Sequence, residues 1–116
     1  MKLDRDAIAN AAQRLNGRIV DTPVLPLHGE ALGLPHRLTL KLENLQHSGS
    51  FKARGAMNAL LCAEVASEGV VAASGGNHGA AVAWAAERLQ YPANIFVPSV
   101  ISSRKLEKLK SYDAQV

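Results

Sequence analysis

The sequence predicts an α/β fold in which helices connect the strands of a parallel sheet. Two short apolar segments, 70–73 and 94–97, are strand-like, and each is followed by a helix-like segment. A strand, helix, strand order is typical of parallel sheets, because parallel neighbours need a long crossover connection. The 116 residues have the length of one domain at most, and a hydrophobic content of 47% is that of a globular chain.

The first part of the chain is predicted to form one helix and one strand. Asp4 is a suitable N-cap for a helix over 5–15, and Asn16-Gly17 ends that helix. Thr22-Pro23 then favours extended backbone. Residues 37–43 alternate apolar and polar side chains, which predicts a half-buried strand.

A second helix is predicted after a polar turn at 46–49. Ser50 is its predicted N-cap, and the helix is expected to run from Phe51 to about Ala66. Cys62, the only cysteine, lies in this apolar helix and is interpreted as a small buried side chain. A single cysteine also excludes an internal disulfide and a cysteine-based zinc site.

The last part of the chain alternates strands and helices around a glycine-rich loop. Its predicted elements are, in order, a strand at 70–73, a loop at 74–79, a helix from about 78 to 90, a strand at 94–97, a helix capped by Ser102 or Ser103 and ending at Tyr112, and the opening of a further strand at 114–116. This alternation predicts helical crossovers between parallel strands.

Composition favours a cytoplasmic protein with no nucleic-acid or membrane partner. The net charge is +3, and the densest basic cluster consists of Arg104, Lys105, Lys108 and Lys110, interrupted by Glu107. Because no aromatic residues are interleaved, this cluster is interpreted as a solvated helix face rather than a nucleic-acid patch. No apolar run is long enough to cross a bilayer, and the charged residues at 4–6 exclude a signal peptide.

Lys52 falls in the first turn of the second predicted helix, next to Phe51. The positive end of the helix dipole opposes a charged lysine there, and partial burial beside Phe51 would add to that effect. Both effects favour the neutral amine, which is the form that attacks an aldehyde to make a Schiff base. On spacing alone such a lysine is more often a surface charge, and that alternative stays open.

The glycine-rich loop Ser74-Gly75-Gly76-Asn77-His78-Gly79 lies between a strand and a helix, where open α/β sheets bind their ligands. Its glycines allow close approach of the backbone, and the helix start offers free N–H groups to an anion. Ser74 and Asn77 add polar side chains that suit a small carboxylate or a ring hydroxyl. The spacing is not that of a dinucleotide-binding motif, and a tight turn capped by Asn77 is the structural alternative.

Three segments, in the same order, resemble the fold-type II pyridoxal-phosphate enzymes, most closely their serine/threonine dehydratase and serine racemase branch. Residues 41–56, which include Gly49-Ser50-Phe51-Lys52-Ala53-Arg54-Gly55, resemble the family's cofactor-lysine motif. Residues 74–79 resemble its substrate loop, and residues 97–114 resemble the region that follows. The fold implied is the N-terminal part of a two-domain enzyme similar to the β subunit of tryptophan synthase.

The resemblance also implies a role for each site residue. Lys52 would hold pyridoxal 5'-phosphate through a Schiff base and act as base and acid at the substrate Cα. Phe51 would lie beside the cofactor, and Asn77 would hydrogen-bond its ring hydroxyl. The loop residues expected to hold the substrate carboxylate are Ser74, Gly75, Gly76, Asn77 and His78. The family's phosphate loop, pyridine-nitrogen partner and metal site resemble segments further along, so no metal ligand is expected in this chain.

The activity implied is that of a serine/threonine dehydratase, an ammonia-lyase that converts a β-hydroxy amino acid to a 2-oxo acid and ammonia. Gly75 stands where serine racemases usually carry a second loop serine, and a glycine cannot deliver a proton. This difference favours elimination, with serine racemase and threonine synthase as alternatives within the family.

The resemblance further implies a chain made of two partial domains. Residues 1–67 would be the start of the large cofactor-binding domain, and residues 68–116 the first half of the small domain. The chain is expected to be an N-terminal fragment of a homo-oligomeric enzyme and inactive alone. A non-catalytic remnant, or a fragment that binds a partner chain, is the alternative from another class of function.

Overall fold

A computed structural model describes residues 3–116 of the protein; Met1 and Lys2 lie outside the described part. The helices and strands are α1 (Arg5–Leu15), β1 (Val24–His28), β2 (Arg37–Lys41), α2 (Lys52–Cys62), β3 (Val70–Ala73), α3 (Asn77–Leu89), β4 (Ala93–Phe96) and α4 (Ser103–Lys110). Short 3-10 turns precede and follow β2. The predicted α/β fold class is confirmed, although the strands form two separate pairs.

The pair β3 and β4 is parallel and is joined by α3, as the sequence predicted. Gln115 adds a parallel bridge beside Asn94, so the predicted opening of a further strand is also confirmed. One face of this sheet, which carries Ala72 and Ile95, is buried, while the face with Phe96 is exposed. The buried face is the one available to α3, which packs on both strands.

Helix α3 lies at the centre of the core. Residues 79–86 are all buried, and α2, α4, the two parallel strands and the turn at 47–49 pack around them. Most of these residues are alanine, whose small side chain lets the neighbouring elements approach closely. Trp84 is the large exception, and it is 3% exposed. The strongly apolar helix predicted from the sequence is therefore the element around which the other helices and the parallel strands pack.

The pair β1 and β2 is antiparallel and was not predicted. Leu25 pairs with Leu40 and Leu27 with Leu38, so one face of this two-stranded ribbon carries four leucines. Local sequence signals for β1 are weak because Pro26, in its middle, is typical of edge strands rather than sheet interiors. The predicted strand at 37–43 ends at Lys41 and is mostly exposed rather than half-buried.

Several other sequence expectations are wrong in detail. The second helix ends at Cys62 rather than Ala66, because Ala63 is already extended and leads the chain toward β3. Cys62 is therefore at a helix end and exposed, not buried. The last helix ends at Lys110 rather than Tyr112. Asp4, by contrast, caps α1 as predicted, accepting a hydrogen bond from the Ala7 amide at 2.9 Å.

Candidate functional site

The turn before Lys52 is held by the buried side chain of Gln46. Its amide nitrogen donates to the Val20 carbonyl at 2.9 Å, and its oxygen accepts from the Val20 amide at 2.9 Å and the His47 amide at 3.1 Å. Ser48 and Gly49 then adopt positive φ angles of 57° and 75°. Glycine adopts this conformation without penalty, whereas serine does so at a small cost. The bend fixes the direction in which α2 begins.

A carboxylate and a guanidinium fasten the same turn to the first part of α2. Arg54 donates to Glu43 through Nε at 2.8 Å and Nη2 at 2.7 Å, and Thr22 donates to the same carboxylate at 2.6 Å. The hydrogen bonds from Arg54 lower the pKa of Glu43 to about 2, although its partial burial acts in the opposite direction. Glu43 is therefore ionised throughout the neutral range, and its ion pair with Arg54 is present there.

Lys108, on α4, reaches the turn from the other side. Its Nζ donates to the Ser48 carbonyl at 2.8 Å, across 60 positions of sequence. A Cβ at Gly49 would lie 3.5 Å from the same nitrogen. The turn that precedes Lys52 is thus attached to the chain on three sides, through Gln46, Glu43 and Lys108.

Lys52 is the first residue of α2, and its side chain is exposed. Its Nζ lies 5.3 Å from the centre of the Phe51 ring, and Phe51 is itself 60% exposed. The expectation of partial burial beside Phe51 is wrong within the described residues. Ser50 does not cap the helix with its side chain either, since Phe51 occupies the N-cap position and the buried Ser50 hydroxyl has no hydrogen-bond partner within the described part of the chain.

The glycine-rich loop has the predicted form of a strand-to-helix connection. Helix α3 begins at Asn77, and the Ser74 hydroxyl accepts from the Gly76 amide at 3.3 Å, which holds the bend. Asn77 is the first helical residue and not the N-cap, which is Gly76. Glycine is required at position 79, where a Cβ would overlap the Ser74 carbonyl oxygen. Three N–H groups at the start of α3 are left without intrahelical partners.

A cavity of about 430 Å³ opens at this helix start. It is lined by Gly75, Gly76, Asn77, Ala80, Ser102, Arg104, Lys105, Lys108 and Leu109. The structure therefore brings part of the predicted substrate loop together with three cations of α4. Their sequence pattern predicts a solvated helix face; the three side chains are exposed, and they also line the cavity. Their spacing on one side of α4, directly after β4, was the available signal for a role at the site.

The predicted site residues fall into two groups in the structure, one at the cavity and its loop and one at the start of α2. Gly75, Gly76 and Asn77 share the cavity, whereas Ser74 and His78 belong to the same loop but do not line it. Lys52 and Phe51 lie outside the cavity. The two groups are connected through Lys108, which lines the cavity and bonds the turn before Lys52.

Residues 3–116 show neither a candidate metal site nor a candidate membrane-spanning helix. Within residues 3–116 no three histidine, cysteine or acidic side chains are grouped to hold a metal ion. None of the helices in that range has the length and apolarity needed to cross a membrane.

Comparison with known proteins places the chain in a family. The family model described as pyridoxal-phosphate dependent enzyme matches residues 15–116. The protein belongs to this family of pyridoxal-phosphate dependent enzymes.

Several members of the family are more than a third identical to this chain in amino-acid sequence. The chain is 37% identical to L-threonine ammonia-lyase of Geobacter sulfurreducens, covering 94% of this chain and 28% of that protein. It is 40% identical to L-threo-3-hydroxyaspartate ammonia-lyase of a Pseudomonas species, covering 94% of this chain and 35% of that protein. The solved structure of a pyridoxal 5'-phosphate-dependent aspartate racemase matches all of this chain and 37% of its own, with a TM-score of 0.89 and 37% identity. The chain thus spans about a third of the length of these relatives.

The residues present fit pyridoxal phosphate in chemical type. Lys52 offers an exposed primary amine that has no ion-pair partner among the described residues. Asn77, at the cavity, offers an amide able to donate to or accept from a ring hydroxyl. The buried hydroxyls of Ser48 and Ser50, beside the start of α2, have no partner within the described part of the chain. A group carrying an aldehyde and polar substituents matches these features.

Proposed function

We propose that the chain carries the Schiff-base lysine and the substrate loop of an ammonia-lyase that acts on β-hydroxy amino acids. The observation that carries this proposal is the exposed amine of Lys52 at the start of α2, on a turn tied by Lys108 to the cavity of Asn77. Membership of the family and the names of the two relatives support the same activity.

In this proposal each residue has a distinct task. Lys52 Nζ would bind pyridoxal phosphate through a Schiff base and, once released, take the proton from the substrate Cα. Asn77 would orient the cofactor through its ring hydroxyl, and Phe51 would lie beside it. The cofactor supplies an electron sink for the charge left at Cα. Loss of the Cα proton and the β-hydroxyl, together one water, would release an enamine. Hydrolysis of its imine tautomer by water would give the 2-oxo acid and ammonia.

The loop would hold the substrate carboxylate at the start of α3. Free N–H groups and the positive end of the helix dipole favour an anion at this position. The residues proposed for this task are Ser74, Gly75, Gly76, Asn77 and His78.

Racemisation is the second candidate, because an aspartate racemase is among the structural relatives. Racemisation by two bases needs a proton carrier on the face of Cα opposite the lysine. Gly75 has no such group, and a Cβ built there would lie 2.8 Å from Ile101 Cδ1. A serine here would require only that the end of the Ile101 side chain move, so it is the lack of a proton-carrying side chain at Gly75 that favours elimination.

We also propose that a domain boundary falls near residue 67. The separation of the β1–β2 pair from the β3–β4 pair supports this division. The proposed arrangement is the start of a large domain over 1–67 and part of a small one over 68–116. Because the relatives are about three times longer, turnover by the 116 residues alone is expected to be weak.

The test is covalent labelling of the purified chain with pyridoxal phosphate. The adduct is fixed by borohydride reduction, and mass spectrometry of peptides identifies the modified lysine. We expect Lys52 to be labelled in preference to the other lysines, and Lys52→Ala to lose the visible absorption band of the adduct. Lys110→Ala removes an exposed lysine outside the cavity and is the matched control.

Two results would contradict the proposal. Equal labelling of all lysines would show that Lys52 is only a surface charge, and the chain would then be a non-catalytic remnant. An unchanged absorption band in Lys52→Ala would lead to the same conclusion. Preferential labelling of Lys52 without turnover of L-serine or L-threonine would support the cofactor site. It would also show that the 116 residues alone do not catalyse the reaction.

A further inference from the structure

The cavity beside the substrate loop is lined by more positive charge than one carboxylate requires. Arg104, Lys105 and Lys108 all line it, and none of its lining residues within the described chain is acidic. We propose that the substrate carries a second carboxylate, as a β-hydroxy dicarboxylic amino acid does, and that Arg104 and Lys105 bind it. This inference rests on the proposed function and names the substrate class of the same site.

The spacing of the three cations explains why they share one cavity. Residues three or four positions apart on a helix are neighbours on its surface, and Lys108 lies four positions after Arg104 and three after Lys105. All three side chains therefore project from one side of α4. Lys110 belongs to the same helix and does not line the cavity. The basic cluster of the sequence therefore contains both cations at the site and at least one that remains on the solvent side.

Only one of the three cations is already engaged. Lys108 donates to the Ser48 carbonyl at 2.8 Å and so serves the turn before Lys52. Arg104 and Lys105 form no ion pair among the described residues. Two free cations beside one cavity match the charge of a carboxylate, and the planar guanidinium of Arg104 suits its two oxygens.

The cavity is lined by two kinds of anion-binding group, one on α3 and one on α4. The amides at the start of α3, next to Gly76 and Asn77, are proposed to hold the α-carboxylate, and the cations of α4 line the same cavity. A substrate with one carboxylate would leave Arg104 and Lys105 without a counter-charge. The cations therefore favour a dicarboxylate through an added contact that a neutral side chain cannot make.

The experiment measures anion binding to the purified 116-residue chain without cofactor. Succinate, succinamate and inorganic phosphate are titrated at constant ionic strength, and the backbone amide signals of Gly75, Gly76 and Asn77 are followed by NMR. Succinate and succinamate differ only in that an amide replaces one carboxylate. We expect succinate to bind about tenfold more tightly, the effect of one added charge-assisted contact.

Two variants locate the second carboxylate on the protein. Arg104→Gln and Lys105→Gln are each expected to reduce succinate affinity by about fivefold to tenfold and to leave succinamate affinity nearly unchanged. Lys110→Gln changes the net charge by the same amount, and we expect it to alter neither the succinate affinity nor the succinamate affinity. All three side chains are exposed, so the fold is retained, which circular dichroism verifies.

Three outcomes would overturn the inference. The first is equal binding of succinate and succinamate, and the second is a loss in Lys110→Gln as large as that in Arg104→Gln. The third is tighter binding of phosphate than of succinate through the same cations, which would assign them to a phosphate group. If Lys52 labels with pyridoxal phosphate while succinate shows no preference, only this inference fails. If succinate is preferred but Lys52 does not label, the proposed function fails and the cavity is not a substrate site.

Discussion

The two strand pairs of this protein are stabilised in different ways. The β3–β4 pair packs one face on α3, where Ile95 is 2% exposed. The β1–β2 pair presents leucines that remain far more accessible, with Leu25 43% and Leu40 42% exposed. One pair is therefore held mainly by apolar burial, and the other mainly by its own backbone hydrogen bonds and by polar contacts at its end.

This difference indicates how the two parts of the candidate site, the substrate loop and the turn before Lys52, are held in place. The substrate loop leaves the well-packed pair and enters the buried helix α3, so its backbone is fixed by the core. The turn before Lys52 follows the less buried pair and depends on polar anchors, among them Glu43 with Arg54. Such anchors respond to pH and to single substitutions, whereas the core responds to changes of volume.

The largest expected effect comes from the glycine that joins the substrate loop to the core. In Gly79→Ala the new methyl would overlap the Ser74 carbonyl oxygen, so loop and helix cannot both keep their positions. We expect a loss of more than about 3 kcal/mol in the free energy of unfolding. The measurement is urea denaturation followed by the fluorescence of Trp84, the only tryptophan.

Gly55→Ala is the matched control, because a Cβ there meets nothing within 4 Å among the described residues. Gly55 lies inside α2, so alanine is expected to raise stability by up to about 1 kcal/mol through helix propensity. Equal urea midpoints for the two variants would show that close packing at Gly79 does not hold the loop.

An intermediate effect separates the two strand pairs directly. Ile95→Ala removes a fully buried side chain and is expected to cost about 2–5 kcal/mol. Leu25→Ala removes a side chain that is already partly in water, and its expected cost is less than about 1 kcal/mol. Urea denaturation of both variants tests the contrast. A larger loss in Leu25→Ala would show that the leucine face is covered in solution.

A further prediction concerns the pH dependence of stability that Glu43 carries. Its pKa is about 2 in the folded protein and 4.5 as the ordinary value. Because the pKa of Glu43 is lower in the folded protein than in the unfolded chain, the ionised carboxylate stabilises the fold at any pH above the unfolded-state pKa. That stabilisation is lost as the pH falls from 4.5 toward 2. Glu43→Gln should therefore lower stability at neutral pH and flatten its decrease in acid. Thermal unfolding between pH 2 and 6 measures this, and identical slopes would contradict it.

Sequence reasoning predicted the elements near the core better than those at the periphery. Asn77 at the start of a helix and the strand at 70–73 follow from local signals that the packing reinforces. The strand β1 was missed because Pro26 is atypical of strand interiors, and the second helix was extended too far because Cys62 and Ala63, where it ends, carry no local stop signal. The exposure of Lys52 was also missed, since burial depends on neighbours that are remote in sequence.

The α/β class, the central apolar helix and the two motifs that resemble the family can be read from the amino-acid sequence. These follow from periodicity, glycine spacing and residue type, which are local properties of the chain. Two other features are visible only in the folded chain: Lys108 donates to the Ser48 carbonyl, and Arg104 and Lys105 share a cavity with Asn77. These contacts exist because α4 packs against α3, and the position of one helix against another is set by the whole core rather than by local sequence.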